Sequence, residues 1–310
     1  MHAIEVSNLT KKYEGFTAVD KLTFSVPQGQ IFGLLGPNGS GKTTTINMLC
    51  GLIKCSEGNA KILGFDVVSQ LKEVRKVLGV VPQETALYDS MTAQENLDFH
   101  AALYGVSANE SRKRVNHILE LVGLKERYKS RVGTFSGGMK RRLALGRALL
   151  SEPQVIFLDE PSLGVDVQSR MAIWEHIVEL KKKGISILIT TNYMEEADYL
   201  ADSIAIIDKG KLITVGSPSQ LKAMVGEEVI EIITDTFSKE LEIKLMEMEN
   251  VEKVQKEGNV IYLTVKEGAK TIIPVIDAFK QSAISINSFS LKKVSLNEAF
   301  LQLTGKSLRD

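Results

Sequence analysis

The sequence predicts an α/β core followed by a smaller α+β unit, and three observations carry that reading. Continuous apolar runs at 31–36 (IFGLLG), 155–159 (VIFLD), 185–190 (ISILIT) and 204–208 (IAIID) suit parallel strands covered on both faces. Helical patterns lie between these runs, as an α/β core requires. Beyond about residue 227 the pattern changes to short strands and helices in the order β-α-β-β-α-β, a ferredoxin-like split unit. The length of 310 residues suits two unequal domains, with expected bounds 1–226 and 227–310.

Taken in chain order, AIEVSNLTKKY and LTFSVPQG alternate apolar and polar residues, which predicts antiparallel strands with one wet face. Residues 86–150 form a helix-rich insertion, with AQENLDFHAALYG, NESRKRVNHILELVG and SGGMKRRLALGRALL as its helices. KGKLITVGSPSQL reads as a closing hairpin with a short helix. In the second unit EEVIEIITD is a strand and SKELEIKLMEME a helix. VEKVQKEGNVIYLTV is a hairpin turning at Gly258-Asn259, and AKTIIPVIDAFKQSA is a helix with Pro274 near its first turn. INSFSLKKVSL is a strand and NEAFLQLTG a closing helix.

Composition narrows the function classes. Lys+Arg and Asp+Glu are both 38, and a formal net charge of zero argues against a general nucleic-acid binder. No run approaches the ~18 apolar residues of a membrane span, and the N-terminus shows no signal-peptide core. Cys50 and Cys55 have no second pair of Cys or His to complete a zinc site, and they read as a small hydrophobe and a loop residue of a reducing compartment.

The chemistry is concentrated in three stretches. GLLGPNGSGKTTT holds G-x-x-x-x-G-K-T after an apolar strand and before a helix, the context a phosphate loop requires. The loop that starts at Gly36 and Pro37 turns the main-chain N–H groups of Asn38, Gly39, Ser40, Gly41 and Thr44 round phosphates, with the helix dipole behind them. Lys42 neutralises β- and γ-phosphate charge, and Thr43 offers a hydroxyl to Mg²⁺. In VIFLDE, Asp159 ends a buried strand, where an acid is costly unless it holds a metal, and Glu160 is placed to polarise an attacking water. No Asn-Lys-x-Asp guanine-reading motif is present. In TFSGGMKRRLALGRALL, Ser136 is a good N-cap, and Gly137 and Gly138 bare the helix start for an anion.

With these motifs in this order, residues 1–225 resemble the ATP-binding cassette (ABC) ATPases. The resemblance implies ATP and Mg²⁺ as ligands and two cassettes sandwiching two ATP molecules, each phosphate loop facing the Ser136-Gly137-Gly138 helix of the other. It implies that Tyr13 stacks on adenine, that Gln83 touches Mg²⁺ or the water, and that Asp166 lies in a loop crossing the dimer interface. The second unit, ending VSLNEAFLQLTG, resembles the tail of ATPase subunits from two-component drug and sodium exporters. That implies a homodimer or a paired ATPase domain, on the inner face of the cell membrane through a separate permease chain.

Three departures stand out. Phe135 and Met139 replace the usual Leu and Gln that flank the signature, and SLGVD replaces the commoner interface-loop form while keeping Asp166. The third is Asn192, where the family has a histidine contacting the γ-phosphate; the histidines of this chain are His2, His100, His117 and His176. Asparagine is shorter and never cationic. Loss of one preorganised donor typically costs about 10²–10³ in rate, so slow hydrolysis is expected. Alternative readings are an ATP-gated clamp or a non-transport ABC protein with little ATPase activity.

Overall fold

The computed structural model describes residues 1–224, 228–293 and 295–304. The chain divides into two compact units at Ser217/Pro218. In the first, strands β1 (His2–Tyr13), β2 (Phe16–Pro27), β4 (Glu57–Ile62) and β5 (Phe65–Asp66) make an antiparallel sheet in the order β2-β1-β4-β5. A second sheet holds β3 (Ile31–Leu35), β6 (Leu78–Val81), β7 (Val155–Asp159), β8 (Ser186–Thr191), β9 (Ser203–Asp208) and β10 (Lys211–Gly216), ordered β10-β9-β3-β8-β7-β6. Its pairings are parallel except for β10 on β9. β3, β7 and β8 are buried at every residue, the physical reason their sequences are continuous apolar runs.

Helix α1 (Lys42–Leu49) runs from the phosphate loop, and its Ile46, Met48 and Leu49 join a core shared by both sheets. α2 (Leu71–Val77) leads into β6. The helix-rich insertion follows as α3 (Ala93–Leu103), α4 (Ala108–Leu121) and α5 (Gly137–Leu149), with 3₁₀ turns between the last two. α3 starts with a capping box, Thr92 Oγ1 accepting from Glu95 N at 3.1 Å and Glu95 Oε2 accepting from Thr92 N at 2.8 Å. α6 (Val167–Lys182) and α7 (Met194–Leu200) complete this unit.

From Pro218 onward the second unit begins with α8 (Pro218–Ala223), which packs against α11 (Leu296–Thr304). Between them lie β11 (Glu228–Ile233), α9 (Lys239–Met246), β12 (Val251–Glu257), β13 (Val260–Val265), α10 (Gly268–Gln281) and β14 (Ser288–Lys293). The sheet order β12-β13-β11-β14, antiparallel throughout, is the ferredoxin-like arrangement expected of this element order. Its core is apolar, built on Ile230, Ile232, Leu241, Leu245, Leu263 and Phe279 among others. α10 begins at Gly268, so Pro274 sits in its second turn and not near its first, a correction to the expectation above. Pro274 lacks the N–H that Lys270 O would accept, and its exposed position leaves that carbonyl open to water. Among the described residues no helix is long and apolar enough to cross a membrane.

Candidate functional site

The ends of β3, β7 and β8 converge on one cleft of about 450 Å³, in the size range of small-ligand sites. It is lined by Asn38, Gly39, Gly41, Lys42, Thr43, Thr44, Gln83, Glu160 and Asn192, with Tyr13 and Phe16 at one wall. Gly41 has φ +102°, and a Cβ there would lie 2.6 Å from Ala18 O, so only glycine lets the loop turn into α1. Gly36, Pro37 and Ser40 belong to the loop but do not line the cleft; Lys42 Nζ donates to Gly36 O at 2.7 Å and to Pro37 O at 3.0 Å. Burial pushes the Lys42 ammonium below its ordinary pKa, against the opposing pull of Glu160 and Asp159. Ser40 Oγ is buried without a protein partner, as is Asn192 Oδ1. Such orphaned polar atoms beside a ring of main-chain amides fit a polyphosphate.

Asp159 and Glu160 leave β7 in different directions. Asp159 Oδ1 accepts from Thr43 Oγ1 at 3.4 Å and from Thr190 Oγ1, so the carboxylate and the Thr43 hydroxyl share one spot suited to a divalent cation. Glu160 adopts φ +48°, an uncommon conformation for a residue with a Cβ. Its N–H is held by Thr190 O at 3.0 Å. That turn swings its carboxylate into the cleft, where Oε2 accepts from Gln83 Nε2 at 3.1 Å and Oε1 lies 3.7 Å from Lys42 Nζ.

Ser136, Gly137, Gly138 and Asp166 do not line this cleft. Ser136 caps α5, accepting from Met139 N at 3.2 Å, and Asp166 caps α6, accepting from Ser169 N at 2.9 Å. These two helix starts touch. A Cβ on Gly138 would come within 2.4 Å of Ser169 Oγ, so the glycine permits the close approach. The sequence-selected residues therefore form two groups, one around Lys42 and one at the start of α5 and α6.

Several neighbours carry no motif label. Phe16 stacks on Tyr13 with ring centroids 5.4 Å apart, which widens the aromatic wall. Arg147 donates to Thr85 O at 3.0 Å and Ala86 O at 2.7 Å, holding the segment after Gln83. Glu196 on α7 is fully buried, accepting from Trp174 Nε1 at 2.9 Å. Burial raises its pKa, while the Ser162 and Thr191 hydroxyls and Arg170 oppose the rise. Arg141 is a buried cation in phase with Gly138, Leu145 and Ala148 on the covered face of α5. A charge at a core position of an amphipathic helix was the signal that could have found it.

Comparison with known proteins gives the family. The ABC transporter family model matches residues 19–163, and the model described as the C-terminal domain of DrrA1-3-like ATP-binding proteins matches 216–304. The chain is 36% identical over 310 residues to the linearmycin resistance ATP-binding protein of Bacillus subtilis, covering 99% of this chain and 100% of that protein. It is 36% identical to the daunorubicin/doxorubicin resistance ATP-binding protein of Streptomyces peucetius, over 99% of this chain and 94% of that one. The Nod factor export ATP-binding protein I of Ralstonia nicotianae is 35% identical, over 99% and 95% respectively. Among solved structures, cbiO1 of Clostridium perfringens, part of the ABC transporter complex cbiONQ, superposes with TM-score 0.67 at 27% identity, over 72% of this chain and 91% of that one. A dimeric cassette solved in a post-hydrolysis state with ADP and Pi gives TM-score 0.62 at 25% identity, over 69% and 98%. The chain belongs to the ATP-binding subunits of ABC transporters, in the exporter branch whose members carry a DrrA-like C-terminal domain.

Proposed function

We propose that this chain is the ATP-hydrolysing subunit of a two-component exporter, closing as a pair of cassettes on two MgATP and driving a separate membrane permease. One observation carries the reading. The cleft around Lys42 holds the phosphate loop, Glu160 and Asn192, whereas Ser136–Gly138 lie outside it at the start of α5, so a second cassette would bring its own signature to the phosphates. The dimeric relative in a post-hydrolysis state supports that arrangement.

In this reading Tyr13 stacks on adenine and the amides of Asn38 to Thr44 bind the phosphates, with Lys42 neutralising charge on them. Thr43, Asp159 and Gln83 would hold Mg²⁺, which would supply neutralisation of phosphate charge. Glu160 polarises the attacking water and is oriented by Gln83. The exposed cluster of Tyr88, Phe99, Leu103 and Tyr104, with Tyr88 edge-on to Phe99 at 5.3 Å, follows the Gln83 segment and would receive the permease's cytoplasmic helices. The chain then sits on the inner face of the membrane through that permease. Cargo contacts belong to the permease.

Asn192 makes hydrolysis slow. Its side chain lines the cleft and its Oδ1 takes no protein hydrogen bond, but the amide is shorter than imidazole. With the permease present, Asn192→His is expected to raise turnover by about 10²–10³, the scale of one preorganised donor at a developing charge, with little change in ATP affinity. Equal rates for the two chains would refute a limit at this position.

A further inference from the structure

Arg141, the fifth residue of α5, is 4% exposed. Its guanidinium donates to five main-chain carbonyls: Nε to Pro161 O at 2.8 Å, Nη2 to Asp159 O at 2.8 Å and to Glu160 O, and Nη1 to Pro82 O at 2.9 Å and Gln83 O at 2.7 Å. These carbonyls belong to two segments. One is the turn after β7 that carries Glu160; the other follows β6 and carries Gln83. Their side chains meet in the cleft, Gln83 Nε2 donating to Glu160 Oε2 at 3.1 Å.

Burying a cation among neutral acceptors is costly, and burial lowers the guanidinium pKa here despite the nearby Asp159, Glu196 and Glu160. A core position of this shape is filled more cheaply by Leu or Met unless the fork does something a hydrophobe cannot. What it does is fix carbonyl positions. A planar guanidinium offers five N–H groups at set angles, whereas an ammonium is a point charge. The Glu160 backbone gains from such a restraint, because φ +48° is an uncommon and costly conformation for a residue with a Cβ.

We propose that Arg141 is a positioning residue for ATP hydrolysis: its fork locks the main chain at 82–83 and 159–161 so that Gln83 and Glu160 present their side chains to the attacking water. The proposal rests on the reading that Glu160 polarises that water. Arg141 does not itself line the nucleotide cleft and reaches it only through the main chain of Gln83 and Glu160, so its loss acts on the chemical step and leaves ATP binding in place.

The test is steady-state ATP hydrolysis and ATP binding by the full chain, as parent, Arg141→Met, Arg141→Lys and Glu160→Gln. Arg141→Met is expected to lower kcat by about 100-fold, with KM and ATP affinity within about threefold, the signature of a misplaced catalytic group. Arg141→Lys keeps the charge and most of the stem packing and should recover about tenfold of that loss. A kcat within about threefold of parent for Arg141→Met, or a loss lying wholly in KM, overturns the proposal. If Arg141→Met does not fold, Arg141→Lys decides alone: about tenfold lower kcat at parental KM supports the assignment, and parental kcat overturns it. Glu160→Gln separates the two layers. Parental turnover in that variant removes the reading beneath, whereas lost turnover there with parental turnover in both Arg141 variants removes the positioning role alone.

Discussion

In residues 1–217 the buried polar side chains include six of ionisable type, namely Lys42, Arg141, Arg147, Asp159, Glu160 and Glu196. From Pro218 onward the buried polar side chains, among the described residues, are Thr234, Thr264 and Thr271. Both units are sheets covered by helices, with cores of Ile, Leu, Val and Phe. The first accepts the desolvation cost of such groups and sets Lys42, Arg141, Asp159 and Glu160 around the end of β7. The second buries almost only apolar surface and polar groups that hydrogen-bond locally, such as Thr271 Oγ1 donating to Glu267 O at 2.7 Å. Buried charge is expensive enough that its location marks the chemistry. By that measure the candidate chemistry lies in the first unit.

Truncating the second core is the strongest way to break this contrast. Phe279 is fully buried in the apolar cluster under α10. Phe279→Ala is expected to cost about 3–5 kcal/mol of that unit's stability, read as a lowered transition in calorimetry, while ATP affinity stays at the parental value. Lost ATP affinity in the still-folded variant would show that the two interiors are energetically one.

A smaller effect comes from Glu196. Its ordinary pKa of 4.5 is raised in the fold, with burial as the largest cause. The native state therefore keeps a proton that the unfolded chain releases, and stability falls as pH rises from about the unfolded value towards the folded one. Glu196→Gln removes the titration while retaining an acceptor for Trp174 Nε1. The stability of this variant relative to parent should grow as pH rises above 4.5, by at most about 1.4 kcal/mol per pH unit. A difference that stays flat from acid to neutral pH would mean the carboxyl is ionised in the fold.

Much of this was legible in the sequence where one segment is sufficient to define its own structure. The apolar runs became β3, β7, β8 and β9, because a strand covered on both faces must be apolar throughout. The phosphate loop was readable because Gly41 and Lys42 are required at fixed spacing. The βαββαβ order gave the second sheet its topology. The stretch from 51 to 92 was opaque. β5 has only two residues and β6 four, too short for a period to show, and β6 is held by parallel pairing with β7, more than 70 residues away. Arg141 was overlooked because a basic residue in KRR reads as solvated. Its phase with Gly138, Leu145 and Ala148 marks it as inward, but only the three-dimensional meeting of α5 with the ends of β6 and β7 shows which carbonyls it holds. Phe16 shows its role only in space, since a single aromatic at the first residue of a strand has no period.

The account stands or falls on Glu160. Parent and Glu160→Gln should be compared for ATP binding and for turnover, in the presence of the permease. The account predicts ATP affinity within about threefold of parent and turnover lower by about 10²–10⁴, the scale of a lost general base. Undiminished turnover in Glu160→Gln would contradict it and place the chemistry elsewhere in the cleft.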